Sequence, residues 1–291
     1  MSQRGLLAIG IVFAWVIGIA AFTRRELTRS DAERLAESAL RVAPGATYFA
    51  VLRDGKHVGY ASTTVDTLPR HIQFTEYLAA DVRAGDSLRR ETIRTRVMLT
   101  RALVFKDFLV QRTTDSGPRI SRGRIVNDSV LEFIVRTAVG ARARTLDSVR
   151  HVVRTALTAT PLLPIVTMLG GEPRVGRTAD FSTLDPTSGA VTLAQVRLAA
   201  ESVFVVSDSG AYAGTAAKWR SVHNDSVRAW RLDGLPKGGT LWVDALGRVV
   251  RHERPDGTTL QRTAYELAFE NWRATSPLAR TAPAPPPAPR P

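Results

Sequence analysis

The chain is 291 residues long, contains no cysteine and carries a formal net charge of +13. The missing cysteine excludes a disulfide framework, thiolate metal sites and a cysteine nucleophile. With 44% hydrophobic and 23% charged residues the chain is not globally disordered, and the roughly 250 residues between its two ends can bury a core as one large β domain or two smaller ones.

Gly5 to Phe22 (GLLAIGIVFAWVIGIAAF) holds neither charge nor proline. As a helix it would span about 27 Å, close to the hydrocarbon core of a bilayer. Leu6, Leu7, Ile9, Ile11, Val12, Phe13, Trp15, Val16, Ile17 and Ile19 form its apolar surface. Gly18 and Ala20 would suit a signal-peptidase site, but the run is long for a signal peptide and Arg24 and Arg25 follow closely. The sequence therefore predicts a retained transmembrane anchor over residues 1–23. Positive charge is denser after the run than before it, which by itself would keep the large domain in the cytoplasm; large domains also translocate despite flanking charge.

Residues 24–45 read as a helical stalk. Ser30-Asp31-Ala32-Glu33 fits a capping box, and Leu35, Ala36, Ala39 and Leu40 recur at helical spacing before Pro44-Gly45. From Ala46 the period becomes two and opens a β domain expected over 46–273. Thr47–Arg53 and Lys56–Val65 form a hairpin across Asp54-Gly55, a pair that supplies the positive φ angles of a tight turn. The strand His71–Val82 places Glu76 where an apolar residue is due, which suggests a register shift. Thr92–Arg112 is one bent strand or two, and a further hairpin crosses Asn127-Asp128. Between Arg83 and Arg154 there are sixteen Arg and Lys against seven Asp and Glu. That surplus suits either solvated strand faces or a basic surface for phosphate head groups or polyanions. The aromatics are not interleaved with the arginines as a nucleic-acid stacking platform requires, so nucleic acid is not an expected partner.

Leu146, Val149, Val153, Ala156 and Leu157 follow a helical spacing, and Thr160-Pro161 introduces a short apolar helix, LLPIVTMLGG, closed by Gly170-Gly171. The segment 144–170 is thus expected to be helical and to join two strand runs, 46–137 and 190–263. The second run has turns at Asp208-Ser209-Gly210, Asp233-Gly234, Gly238-Gly239, Leu246-Gly247 and Asp256-Gly257. Tyr265, Ala268, Phe269 and Trp272 mark a last helix. Residues 274–291 form a proline-rich tail, with seven prolines in the final fifteen positions. Consecutive hairpins make an antiparallel meander whose inner face must be covered. The expected fold is mainly β: a curved antiparallel sheet, or half-barrel, with short apolar helices on its concave side and one N-terminal transmembrane helix.

Three stretches carry a resemblance. The opening hairpin YFAVLRDGKHVGY (Tyr48–Tyr60), the proline-led helix with the strand ending F-S-T-L-D-P (Thr160–Pro186), and the closing hairpins (Leu241–Thr263) are similar to bacterial envelope β domains of the DUF3108 type. A similar β domain precedes the catalytic core in some transglutaminase-like proteins, and the wider fold looks like that of the LolA/LolB lipoprotein carriers. The resemblance covers about 220 residues and implies an envelope location, with the large domain on the periplasmic side of the inner membrane. It implies no catalytic residue, and the transglutaminase core is absent.

The five histidines, His57, His71, His151, His223 and His252, lack zinc-motif spacing, and neither G-x-S-x-G nor a phosphate-binding glycine loop occurs. His57 at a hairpin tip and His252 on a strand read as exposed. Asp180, Asp185 and Glu201, or Asp244 with Glu253, would pair only if folding joined them; Asp244 reads as a turn residue before Gly247. No catalytic, metal or cofactor site is therefore assigned. A candidate apolar groove combines Leu162, Leu163, Ile165, Val166 and Met168 with Trp230 and Trp242, taken as cross-strand neighbours. The expected function is non-catalytic binding of a lipidic or apolar ligand or of a protein partner. The alternatives are a structural or assembly subunit of an inner-membrane complex and an unrecognised hydrolase.

Overall fold

In the computed structural model the described residues are 15, 17–19 and 44–278, except 115–116, 128, 140–141, 154–156, 215–217 and 236–238. Trp15, Ile17, Gly18 and Ile19 are helical and exposed. Most of the expected anchor, the stalk up to residue 43 and the tail from residue 279 lie outside the described residues. Among those described, no helix is long and apolar enough to cross a membrane.

Alternating sequence makes strands, and here it makes one sheet. Its fifteen strands are β1 (Gly45–Arg53), β2 (Lys56–Thr67), β3 (His71–Ala84), β4 (Ser87–Thr100), β5 (Phe105–Thr114), β6 (Gly117–Val126), β7 (Val130–Val139), β8 (Arg142–Val152), β9 (Leu157–Thr158), β10 (Thr178–Leu184), β11 (Val191–Ala213), β12 (Lys218–Asp233), β13 (Thr240–Asp244), β14 (Val249–Glu253) and β15 (Thr258–Thr263). The order is β8-β7-β6-β5-β4-β3-β2-β1-β15-β14-β13-β12-β11-β10-β9. The two strand runs expected from sequence therefore meet at β1, which pairs with β2 on one side and β15 on the other. All pairings are antiparallel except β9 with β10.

The sheet is open, and it is rolled. One apolar cluster draws residues from both flanks: Ile72, Val97, Phe108 and Phe133 from β3 to β7, and Leu198, Leu232 and Leu241 from β11 to β13. Helix α1 (Leu162–Leu169) is buried in the same cluster through Leu162, Leu163, Ile165 and Met168. Across β1, β2, β3 and β15 the inner face continues with Phe49, Val51, Ala61, Leu78 and Leu260.

Several expectations change. Residues 142–152 form β8, not a helix. The helical spacing there competes with the free edge of β7, whose hydrogen-bonding groups need a partner; Val149 accordingly lies opposite Phe133. Among the described residues of the expected 144–170 helical segment, α1 is the helix that enters the concavity, and Leu157 of β9 joins it in the core. Of the two readings of Thr92–Arg112 the two-strand one holds, with the first strand beginning earlier, at Ser87. Asp208-Ser209-Gly210 is no turn: β11 runs through it, absorbing the irregularity as register shifts against β12. Glu76 causes no slip, since β3 keeps unbroken register with β2 and β4.

The last helix forms where expected but covers the convex face. A π-helical turn (Glu266–Glu270) runs into α2 (Asn271–Thr275). Phe269 and Trp272 pack on Tyr60 and Ala79, whose side chains point outward from β2 and β3. Tyr60 and Phe269 meet edge to face at 4.8 Å between ring centres. The Arg90 guanidinium lies 4.5 Å from the Trp272 ring and pairs with buried Asp81 at 2.9 Å, and Ser276 also bonds to Asp81. The Asn271 side chain both accepts from the Trp219 amide (2.8 Å) and donates to its carbonyl (3.0 Å), as a neighbouring strand would.

Trp272 is 2% exposed. Trp272→Ala should therefore cost ~3–5 kcal/mol in chemical denaturation. A loss within about 0.5 kcal/mol, typical of a surface position, would contradict this packing.

Candidate functional site: a cavity under the sheet

Helix α1 is fixed at both ends. Thr160 Oγ1 accepts the Leu162 amide at 3.3 Å, and Arg177 Nη1 donates to the carbonyls of Met168 (3.3 Å) and Gly170 (3.2 Å). Those carbonyls end the helix without intrahelical partners, so a cation there also suits the helix dipole. The turn after β13 comes close to α1. Gly247 has φ 74°, and a Cβ there would lie 3.1 Å from Ile165 Cγ2. Asp244, 3% exposed, organises that turn: its oxygens accept from the amides of Leu246 (3.0 Å) and Arg248 (2.9 Å), from Arg248 Nε (2.8 Å) and from Arg262 Nη1 (2.8 Å). The turn role read from the sequence is the observed one.

Between α1 and the inner sheet lies a cavity of 580 Å³, within the usual range of small-molecule sites. Phe49, Val65, Phe74, Leu241 and Leu260 line the sheet side; Leu162, Ile165, Val166 and Leu169 line the helix side. Pro44 to Thr47 also border it, so the cavity adjoins the point where the N-terminal segment enters β1.

Of the seven groove residues expected from sequence, Leu162, Ile165, Val166 and Trp230 line this cavity. Leu163 and Met168 are buried in the core beside it. Trp242 is not part of it. In the β12–β13 register Trp230 lies opposite Val243, and Trp242 lies opposite Arg231. One residue of parity puts the two indoles on opposite faces, and Trp242 instead packs edge to face on Phe204, 4.9 Å between ring centres.

The polar residues of the cavity were not assigned from sequence. Glu76 and Arg254 form an ion pair, Nη2 to Oε1, at 2.9 Å. Along the sheet they are separated by β2, β1 and β15, about 19 Å of sheet at the usual strand spacing. Their contact is a chord across the rolled inner face. His252 lies between Leu241 and Leu260 in register and also lines the cavity, contrary to its expected exposure. His57 is likewise half-buried, with the Ala268 backbone beside it on the convex side. Glu76 carried one signal in the sequence, a charge at an inward position of an otherwise apolar face.

The carboxylates considered as pairs are engaged separately. Asp180 accepts from Gln195, Asp185 from the Thr187 amide and hydroxyl, and Glu201 from Arg228, while Glu253 pairs with Arg251. Folding does join Asp208, His223 and Asp225 on the β11–β12 hairpin. All three are exposed, and His223 Nδ1 lies 3.0 Å from Asp208 Oδ2, as a surface ion pair would place it.

No protein-family model matches the chain, and no curated protein matches it. Among solved structures it is similar to a β-barrel-like protein of the domain of unknown function DUF1849 from Brucella abortus, with a TM-score of 0.45 and 11% identity over 77% of this chain and 96% of that one. It is also similar to a DUF1089 family protein from Pseudomonas aeruginosa, with a TM-score of 0.36 and 9% identity over 66% of this chain and 88% of that one. These likenesses are too distant to carry an argument about activity or ligand.

Burial, and then the neighbouring Arg254 charge, push His252 from its ordinary 6.5 down to about 4. Asp256 opposes the shift without cancelling it. Between these values the unfolded chain binds a proton on His252 and the folded chain does not, so stability should fall as pH drops from 6.5 to about 4. His57, lowered mainly by burial, adds in the same direction. In thermal melts across this window His252→Gln should flatten the decline in Tm without abolishing it. A decline parallel to that of the unsubstituted chain would contradict the cavity environment assigned to His252.

Proposed function

We propose that the chain is a single-pass membrane protein of the cell envelope whose β domain binds a lipidic or apolar ligand in the cavity between α1 and the rolled sheet. The observation that carries this reading is the cavity itself. It has two apolar walls, one from α1 and one from the inner sheet, and a polar end confined to a few side chains. The run Gly5–Phe22 has the length and composition of a membrane anchor. It lies upstream of Pro44, and Pro44 borders the cavity. A ligand taken from the bilayer would thus meet the cavity on the side where the tether joins the domain. The resemblance to DUF3108-type envelope domains and to LolA/LolB-like carriers supports the extracytoplasmic side.

Binding is favoured over hydrolysis by the chemistry at the polar end. Among the described residues that line the cavity there is one carboxylate, Glu76, and it is committed to Arg254. A two-carboxylate mechanism has no second member there.

A second reading, an assembly subunit of an inner-membrane complex, is favoured by the convex face of β4 to β8. Register puts exposed Arg94, Arg96, Arg122, Arg124, Arg136 and Arg150 on that face, where, among the described residues, Glu132 pairs with Arg124 and Arg150.

Trp230 reports directly on the cavity. In a Trp15→Phe background, membranes containing the full chain and lipids brominated along the acyl chain should quench tryptophan fluorescence, and Trp230→Phe should remove most of that quenching. Quenching unchanged by Trp230→Phe would count against a lipid-filled cavity. For the membrane side, a reporter fused after Pro291 should be active only in the envelope; activity only in the cytoplasm would overturn the orientation.

A further inference from the structure

We propose that the cavity ligand is a single-chain amphiphile of the fatty-acid class, its carboxylate held by Arg254 and its chain lying between α1 and the sheet. This rests on the apolar-ligand reading above and adds the head group. The titratable residues lining the cavity are Glu76, Arg248, His252 and Arg254. Two guanidiniums therefore share the cavity with one carboxylate.

Neither guanidinium is used up. Arg254 gives only Nη2 to Glu76, leaving Nε and Nη1 without a partner among the described residues. Arg248 gives Nε to Asp244, and the same carboxylate also takes Arg262. Asp256 also lies within electrostatic reach of Arg254 and is shared with Arg53, 3.9 Å away, so across this group four arginines face three carboxylates, a surplus of one positive charge. Nη2 itself carries a second N–H, which with the adjacent unspent N–H of Nε or Nη1 makes a planar fork that fits a carboxylate in two-point geometry. The Arg254 side chain is 22% exposed, so a contact made there is less screened than one in bulk water.

Other head groups fit less well. A cationic head would approach two guanidiniums and find Glu76 already paired. An uncharged alcohol or ester would accept from Arg254 at one point and leave the dehydrated guanidinium charge uncompensated. Glu76 has a definite part in this scheme: its charge repels a second carboxylate on the same arginine, so it holds affinity down.

The test uses the full chain in phospholipid vesicles and two photo-crosslinking probes of equal length, a fatty acid and the corresponding fatty alcohol, each with a mid-chain diazirine. Crosslinked peptides are mapped and quantified by mass spectrometry. Both probes should label peptides bordering the cavity, such as those containing Val166 or Trp230, and the acid should exceed the alcohol on the order of tenfold. Arg254→Gln should bring the acid down to the level of the alcohol while alcohol labelling persists, which also reports an intact fold. Arg254→Lys, which keeps the charge and loses the fork, should fall between. Glu76→Gln should raise acid labelling. Equal labelling by acid and alcohol in the unsubstituted chain, or an acid preference that survives Arg254→Gln, would overturn the head-group assignment and leave the apolar-ligand reading standing. Failure of both probes to label the cavity would overturn both.

Discussion

Among the described residues fifteen strands join in one sheet, whose long apolar face is covered by no second sheet, and the molecule buries that face by rolling it onto itself around α1. The rest of the structure follows from this constraint. Leu131, Phe133 and Val135 on β7 and Val196 and Leu198 on β11 belong to opposite flanks of the sheet, yet they share one core. A flat sheet could not bring them together. The wedge is small, eight residues long. It fills one part of the concavity and leaves space beside it. The cavity is a consequence of how the sheet closes, and the Glu76–Arg254 chord spans the rolled face at its polar end.

The convex face solves a different problem. Tyr48, Tyr60 and Tyr77 point outward and would be solvated aromatics without a cover. The π turn and α2 provide it, and the Asp81–Arg90–Ser276 group anchors the cover's far end. Burial raises the ionisation range of both Tyr60 and Tyr77, as expected for phenols sealed under a helix. The two sides of the sheet thus differ in kind. The convex aromatic cluster is closed by the chain's own helix. The concave side keeps an opening beside its helix, and that asymmetry is the reason the proposed ligand is placed there.

Local signals were legible in the sequence and non-local ones were not. Asp54-Gly55 set the first hairpin because a two-residue turn needs only its own residues; both take positive φ, 50° and 73°. LLPIVTML announced α1 through composition and its flanking proline and glycines. Residues 142–152 misled because their apolar spacing suits a helix, while the free edge of β7 decides the outcome. Asp208-Ser209-Gly210 carries turn residues, yet β12 runs alongside and holds it extended. Trp230 was found as a wall residue and Trp242 was not, because a one-residue difference in parity depends on where β13 registers on β12. The polar end of the site was hidden for the same reason. Glu76 showed as an anomaly in β3, but its partner stands 178 residues further along the chain, and only the rolled sheet brings the two together.

The central claim is that the space between α1 and the inner sheet is a ligand site. Native mass spectrometry of the full chain, released gently from its membrane, tests it most directly. The account predicts a bound apolar molecule of defined mass on the unsubstituted chain and its loss from Val166→Trp, where the larger side chain fills the cavity. A chain that repeatedly flies without any adduct, or an adduct that Val166→Trp leaves in place, would contradict it.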